Sequence, residues 1–146
     1  MITYADVDSK YEFEHKLHPA CRAIVLELDR WLCAKGWPPI VVTDVSRDDA
    51  AMARIYGKDW KKDGRFSWHL SDRAVDVRSK VWSGFEQHEI LKWLRLHWPG
   101  CEIILHDVGR GHHLHIAVPK PWSMLRRLRR ALTVRRERKL GRIPKE

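Results

Sequence analysis

Ser67-Trp68-His69-Leu70-Ser71-Asp72-Arg73-Ala74-Val75-Asp76 decides the reading of this chain, together with His112-His113-Leu114-His115 further on. Ala74-Val75-Asp76-Val77 alternates as a half-buried strand does, which turns Asp76 to the face opposite Val75 and Val77 and leaves His69 in the loop feeding the strand. Ile103-Ile104-Leu105 and Leu114-His115-Ile116-Ala117-Val118 read as two further strands, and the short, glycine-bearing Asp107-Val108-Gly109-Arg110-Gly111 between them suits a hairpin. Period two places His113 and His115 on one face of the last strand and His112 with Leu114 on the other.

Around these strands the pattern is helical. His18-Pro19 opens a helix in which Ile24, Leu28, Trp31 and Leu32 recur at helical spacing, and Gly36 ends it. Residues 39–43 form a strand, 48–56 a short helix and 57–66 a polar loop ahead of the His69 motif. Residues 85–98 form a second long helix with Ile90, Trp93 and Leu94 inward and His97 at the edge of that stripe, closed by Pro99-Gly100. Helices packed on a small, largely antiparallel sheet make an α+β domain.

A divalent metal such as zinc takes imidazole nitrogen and carboxylate oxygen, and a catalytic site needs three protein ligands because a fourth position stays open to water. His69, Asp76 and one histidine of the later cluster meet that requirement, and both His113 and His115 face the right way. Each residue also has a plainer reading. Asp76 can pair with Arg73 or Arg78 as a strand carboxylate, since burying it without a partner is expensive. Arg47, in Arg47-Asp48-Asp49, can be the solvated start of a helix. The two-part pattern carries the metal reading, not any single member.

Ser67-x-His69-x-x-x-x-Ala74-x-Asp76 followed by His113-x-His115 resembles the zinc D-Ala-D-Ala carboxypeptidases and L-alanyl-D-glutamate endopeptidases of bacteria and their phages, which share the fold of the hedgehog signalling domain. The resemblance covers residues 40–118. It implies a hedgehog/DD-peptidase-like sheet carrying the metal site, and hydrolysis of peptidoglycan peptides. It also implies His69, Asp76 and His115 as Zn2+ ligands and His113 as the catalytic histidine, or alternatively a group that orients a ligand. Val41-Val42-Thr43-Asp44-Val45-Ser46-Arg47 is similar to the family's strand-then-arginine segment, which puts Arg47 near the substrate as a catalytic or binding group, with Ser67 beside it. Asp72 stands where the family usually has glycine, which implies a changed turn or an extra carboxylate at the mouth of the site. Carboxypeptidase and endopeptidase differ in how far the groove extends, and the loops at 57–66 and 80–84 would decide it.

Charge is uneven along the chain. Residues 1–119 carry 17 basic and 17 acidic side chains and residues 120–146 carry 11 and 2, so the tail holds the whole formal charge of +9. The organisation expected is a metallopeptidase domain at 1–119 and a basic amphipathic tail at 120–146, with Trp122, Leu125, Leu128 and Leu132 on one helical face and arginines around it. That helix either packs on the domain or binds an anionic membrane or wall polymer. A nucleic-acid-binding protein would explain the charge but not the neutral body or the His/Asp spacing, and a metal-binding domain of the same fold without catalysis is the other alternative. Cys21, Cys33 and Cys101 have no close partner and read as reduced, buried thiols. His15, His18, His88 and His97 read as surface or capping residues; His106 and Asp107 end a strand and are weaker candidates, able to approach the site or simply polar for the backbone reasons common at turns. The N-terminus has no basic segment leading an apolar run, and no stretch has the ~20 apolar residues of a membrane span. A monomer made in the cytoplasm without a signal peptide, and delivered to or released at the wall, is the expectation.

Overall fold

A computed structural model describes residues 1–62, 66–107 and 112–120. In chain order these form β1 (Thr3–Tyr4), α1 (Val7–His15), α2 (Pro19–Ala34), β2 (Val41–Asp44), α3 (Asp49–Tyr56), a 3-10 helix (Trp68–Ser71), β3 (Ala74–Arg78), α4 (Gly84–His97), β4 (Glu102–Asp107) and β5 (His112–Ala117). The tail at 120–146 falls outside the described residues beyond Lys120, as do 63–65 of the polar loop and 108–111 of the hairpin connection. Among the described residues, no helix is long and apolar enough to cross a membrane.

The domain is α+β, and its five strands run in the order β1-β2-β3-β5-β4. The sheet is mixed and, as expected, largely antiparallel. β1 pairs parallel to β2 through Thr3↔Val41 and Tyr4↔Val42, and the other three pairings are antiparallel. β1 has two residues, too few for any alternation to show in sequence. α1 was equally hidden, because Val7–His15 is mostly polar; its start is set by Asp6, whose carboxylate accepts from the Ser9 N–H at 2.7 Å.

The two sheet faces have opposite chemistry. Val75 and Val77 of β3, Ile103 and Leu105 of β4, and Leu114 and Ile116 of β5 face Ile24, Val25, Leu28 and Leu32 of α2 and Ile90 and Leu94 of α4 in one apolar core. His18 caps α2 through Nδ1, Ser83 and Glu86 form a reciprocal capping box on α4, and Gly36 ends the α2 turn at φ +68. Trp31 stacks on Trp93, with ring centroids 4.9 Å apart, and closes the helix pair at its outer end. His97 is exposed, in keeping with its reading as a surface residue, and its ring turns back to the Trp93 carbonyl. Cys21 is buried and Cys101 half-buried, but Cys33 is exposed, which corrects the reading of all three as buried.

The opposite face carries the polar residues. Strict alternation brings Asp76 and Arg78 of β3, His113 and His115 of β5, and Ile104 and His106 of β4 to it, in the register Asp76↔His115, Arg78↔His113, Ile104↔His115 and His106↔His113. Ala74 and Ala117 lie on the same face under Trp68.

Candidate metal centre

His69 reaches this face from the 3-10 helix. Ser67 caps that helix, its hydroxyl oxygen accepting from the His69 N–H at 3.3 Å, so Ser67 positions the histidine while also lining the cavity above it. Asp72 ends the helix in the left-handed region at φ 54, the one non-glycine described there. Glycine is at ease in that conformation and aspartate is among the few side chains that tolerate it. The left-handed turn is therefore made without glycine. Asp72 lines neither cavity around the site, so it is no carboxylate at its mouth.

The segment after β2 clamps His69 from the other side. The Val45 carbonyl accepts from His69 Nδ1 at 2.7 Å and the Arg47 N–H donates to the His69 carbonyl at 3.2 Å. Because a carbonyl can only accept, Nδ1 carries the hydrogen and Nε2 presents its lone pair. His69 is 0% exposed, and Nε2 has no hydrogen-bond partner although Asp76 Oδ1 lies 3.3 Å away. Two lone pairs facing each other in a buried site repel unless a cation stands between them, either a second proton on the ring or a metal ion.

Asp76 is the hub. Its Oδ1 lies 2.8 Å from His115 Nδ1, and its Oδ2 lies 2.8 Å from Arg47 Nη2 and 3.6 Å from His113 Nε2. Burial opposes the charged carboxylate, but the hydrogen bonds and charge of His115, and of a His69 ring that carries the second proton, outweigh it and hold the carboxyl well below its usual range. Neither arginine proposed as its partner from sequence is the one used. Arg73 donates to the Val118 and Pro119 carbonyls instead, and Arg78 makes no contact with Asp76. Arg47 is not solvated either: 10% exposed, it also binds Asp44, with Nε to Oδ2 at 2.7 Å, while Asp48 caps α3.

One ligand atom each from His69, Asp76 and His115 lies within 4.8 Å of the other two, and all three residues are buried. Two imidazole nitrogens and a carboxylate oxygen are a donor set that a divalent transition metal accepts. The other features of a metal site are in place too: the Val45 carbonyl fixes the His69 tautomer, Arg47 holds the second oxygen of Asp76, and Glu102 Oε1 stands 3.9 Å from His115 Nε2. The residues therefore fit a metal ion, which the orphaned Nε2 of His69 calls for.

Two cavities meet over the cluster, both lined by Arg47, Asp76 and His113. The smaller, about 330 Å³, has Tyr56, Phe66, Trp68 and Ile104 in its walls, and the larger, about 610 Å³, is bounded by α1, α3 and the end of β3. His113 is where parity put it. His112 is exposed at the strand start, on the rim of the larger cavity.

His106 and Glu102 were undervalued or missed in the sequence. The His106 ring packs on that of His113 with centroids 4.4 Å apart, and burial, then the neighbouring His113 and His115, lower its pKa. Extending the hairpin register by one pair would have found it, since His106 faces His113 as Asp107 faces His112. The side chain of Asp107 lies outside the described part. No family model, no curated protein and no solved structure matches this chain.

Proposed function

We propose that this protein is a zinc-dependent peptidase of the hedgehog/DD-peptidase kind, acting on the peptides of bacterial peptidoglycan. The observation that carries the reading is the buried His69, Asp76 and His115 cluster with His113 beside it, beneath cavities open to a substrate. Its spacing in sequence is that of the family named above. Bound by these three residues, zinc would polarise a carbonyl and lower the pKa of a water toward ~7.

The remaining work falls to side chains in place. His113 lines both cavities, with Nε2 3.6 Å from Asp76 Oδ2, and an imidazole there can take up a proton and return it to a leaving amine. Arg47 orients the Asp76 carboxylate through Oδ2, and its positive charge faces both cavities, favouring negative charge that develops on a reacting carbonyl oxygen. The apolar and aromatic walls contributed by Tyr56, Phe66, Trp68 and Ile104 suit the uncharged part of a peptide and exclude water from the reacting bond. The basic tail at 120–146 is proposed to hold the enzyme to anionic wall polymer or membrane.

The test pairs metal analysis of the purified protein with chromatography of muropeptides after incubation. One zinc per chain and new amino termini in the digest, both lost after chelation and restored by zinc, are expected. Stoichiometric zinc with no cleavage of soluble muropeptides or intact wall would leave a metal-binding domain without catalysis.

A further inference from the structure

Beside the metal cluster stands a pair of imidazoles that the cluster does not use as ligands. His106 of β4 and His113 of β5 are register partners on the polar face of the sheet, and both line the smaller cavity. Directly opposed residues of an antiparallel pair hold their Cβ atoms about 4.5–5.5 Å apart, so two histidines there can turn their rings toward one point above the sheet. His106 Nε2 is closed off from solvent and has no hydrogen-bond partner among the described residues. A buried imidazole nitrogen in that state is unfavourable until a ligand meets it.

The rings are spaced for a shared ion. The His106 and His113 centroids lie 4.4 Å apart with their planes inclined at 53°, against 5.2 Å and 52° for His69 and His115 of the cluster. Zinc–nitrogen bonds of about 2.0–2.1 Å, meeting at angles between a right angle and the tetrahedral value, put the centres of two ligating rings about 4.5–5 Å apart. The 53° tilt falls between the stacked and edge-to-face arrangements that aromatic rings prefer, so attraction between the rings does not account for the pairing. A three-ligand set exists among the described residues only at His69, Asp76 and His115. His106 and His113 therefore offer two protein ligands, and the cavity of about 330 Å³ leaves the other positions to water.

We propose that His106 and His113 form a second, weaker site for a divalent transition metal such as zinc or copper, adjoining the three-ligand one. Imidazole selects such ions over magnesium and calcium, which take oxygen ligands. With two ligands in place of three, the site fills only when metal is in excess. Its consequence for the chemistry rests on the peptidase reading: metal on His113 takes the lone pair that would accept a proton, so an excess of the activating ion inhibits. His106 confers this sensitivity, since it is no ligand of the first ion.

Calorimetric titration of zinc into the chelator-treated full chain should show a tight first equivalent and a weaker second. His106→Phe, which keeps a ring on the sheet but has no ligating nitrogen, should retain the first and lose the second; His106→Gln should do the same and covers the case in which the phenyl ring disturbs the fold. In the natural chain, proton–nitrogen correlation spectra of the imidazoles should show His106 and His113 shifting together during the second step. Hydrolysis of a soluble muropeptide at saturating zinc, relative to its rate at one equivalent, should fall by up to the ~100-fold of a removed acid or base, and the ratio should stay near one in His106→Phe. Saturation with a single equivalent, or a second equivalent that survives both His106 variants, overturns the site. A second equivalent lost with His106, in a protein that cleaves nothing at any zinc concentration, keeps the site and sinks the peptidase reading. Cleavage that needs one equivalent and is indifferent to excess zinc, with the His106 signals unmoved, does the reverse.

Discussion

Substituting Asp76→Ala separates what this carboxylate does for the fold from what it does for a metal. Asp76 is 4% exposed and Arg47 10%, so the pair is buried, and removing one member of such a pair costs ~3–5 kcal/mol because the other charge is stranded. Arg47 is not wholly stranded, since Asp44 Oδ2 stays 2.6 Å from its Nη2, and the lower end of the range, ~3 kcal/mol, applies. For a chain of this size about 2–4 °C of Tm goes with each kcal/mol, so the metal-free variant should melt roughly 6–12 °C below the parent but remain folded. Zinc at 100 times its Kd should add ~2.7 kcal/mol to the parent and nothing measurable to the variant at the same concentration. Differential scanning calorimetry with chelator and then with zinc reads both quantities. A variant that keeps the parent's zinc-dependent shift in Tm would refute the cluster as the metal site. One that does not fold at all would show that Asp76 is needed for the sheet itself.

Further outcomes follow from the same geometry. His113→Ala should keep its metal and lose activity by ~100-fold or more, measured as kcat/KM on a soluble muropeptide beside zinc content. Asp72→Gly should be neutral or slightly stabilising, and Asp72→Val should cost ~1–2 kcal/mol by denaturant titration because a β-branched residue is forced to positive φ. Asp76 has a folded pKa below its unfolded value of ~3.9, so its stabilising contribution is present above that pH and is lost as pH falls through the folded pKa; the metal-free parent should lose stability from about pH 4 downward, more steeply than Asp76→Ala. Alkylation of the native protein at pH 8 should mark exposed Cys33 first and spare Cys21, whose thiol burial pushes to about 12, as peptide mass mapping would show.

Legibility in the sequence followed the range of the interactions. The helices α2 and α4 were readable because each carries its own period and caps, as in Pro19–Ala34 with His18 before it and Gly36 after it, and β3, β4 and β5 because alternation is a local pattern. Parity on β5 was enough to bring His113 and His115 to one face, and the Asp76↔His115 pairing is the consequence. Partner choice was not readable, because it is made across the fold. Arg73 and Arg78 are near Asp76 in sequence, yet the arginine that binds it comes from 29 positions away, after a register shift between Val42 and Asp44. The Val45 carbonyl that sets the His69 tautomer is a backbone atom and leaves no trace in side-chain pattern.

The same contrast bears on why the cluster exists. An α+β sheet of this size needs apolar residues on its helix-covered face, which β3, β4 and β5 provide, but nothing in packing requires three histidines and an aspartate on the other. For stability alone, apolar residues in place of both Asp76 and its partner Arg47 would avoid the desolvation of a buried ion pair and the opposed lone pairs at His69 Nε2. The fold instead commits a 3-10 turn capped by Ser67 and Asp72, an arginine and a carbonyl to holding that unfavourable arrangement in one geometry. Local conflict kept in place by surrounding contacts marks a site whose favourable partner is a ligand. A metal ion at His69, Asp76 and His115 removes that conflict with a single charge, whereas protonating His69 would satisfy one nitrogen and leave the open cavities above it without a purpose.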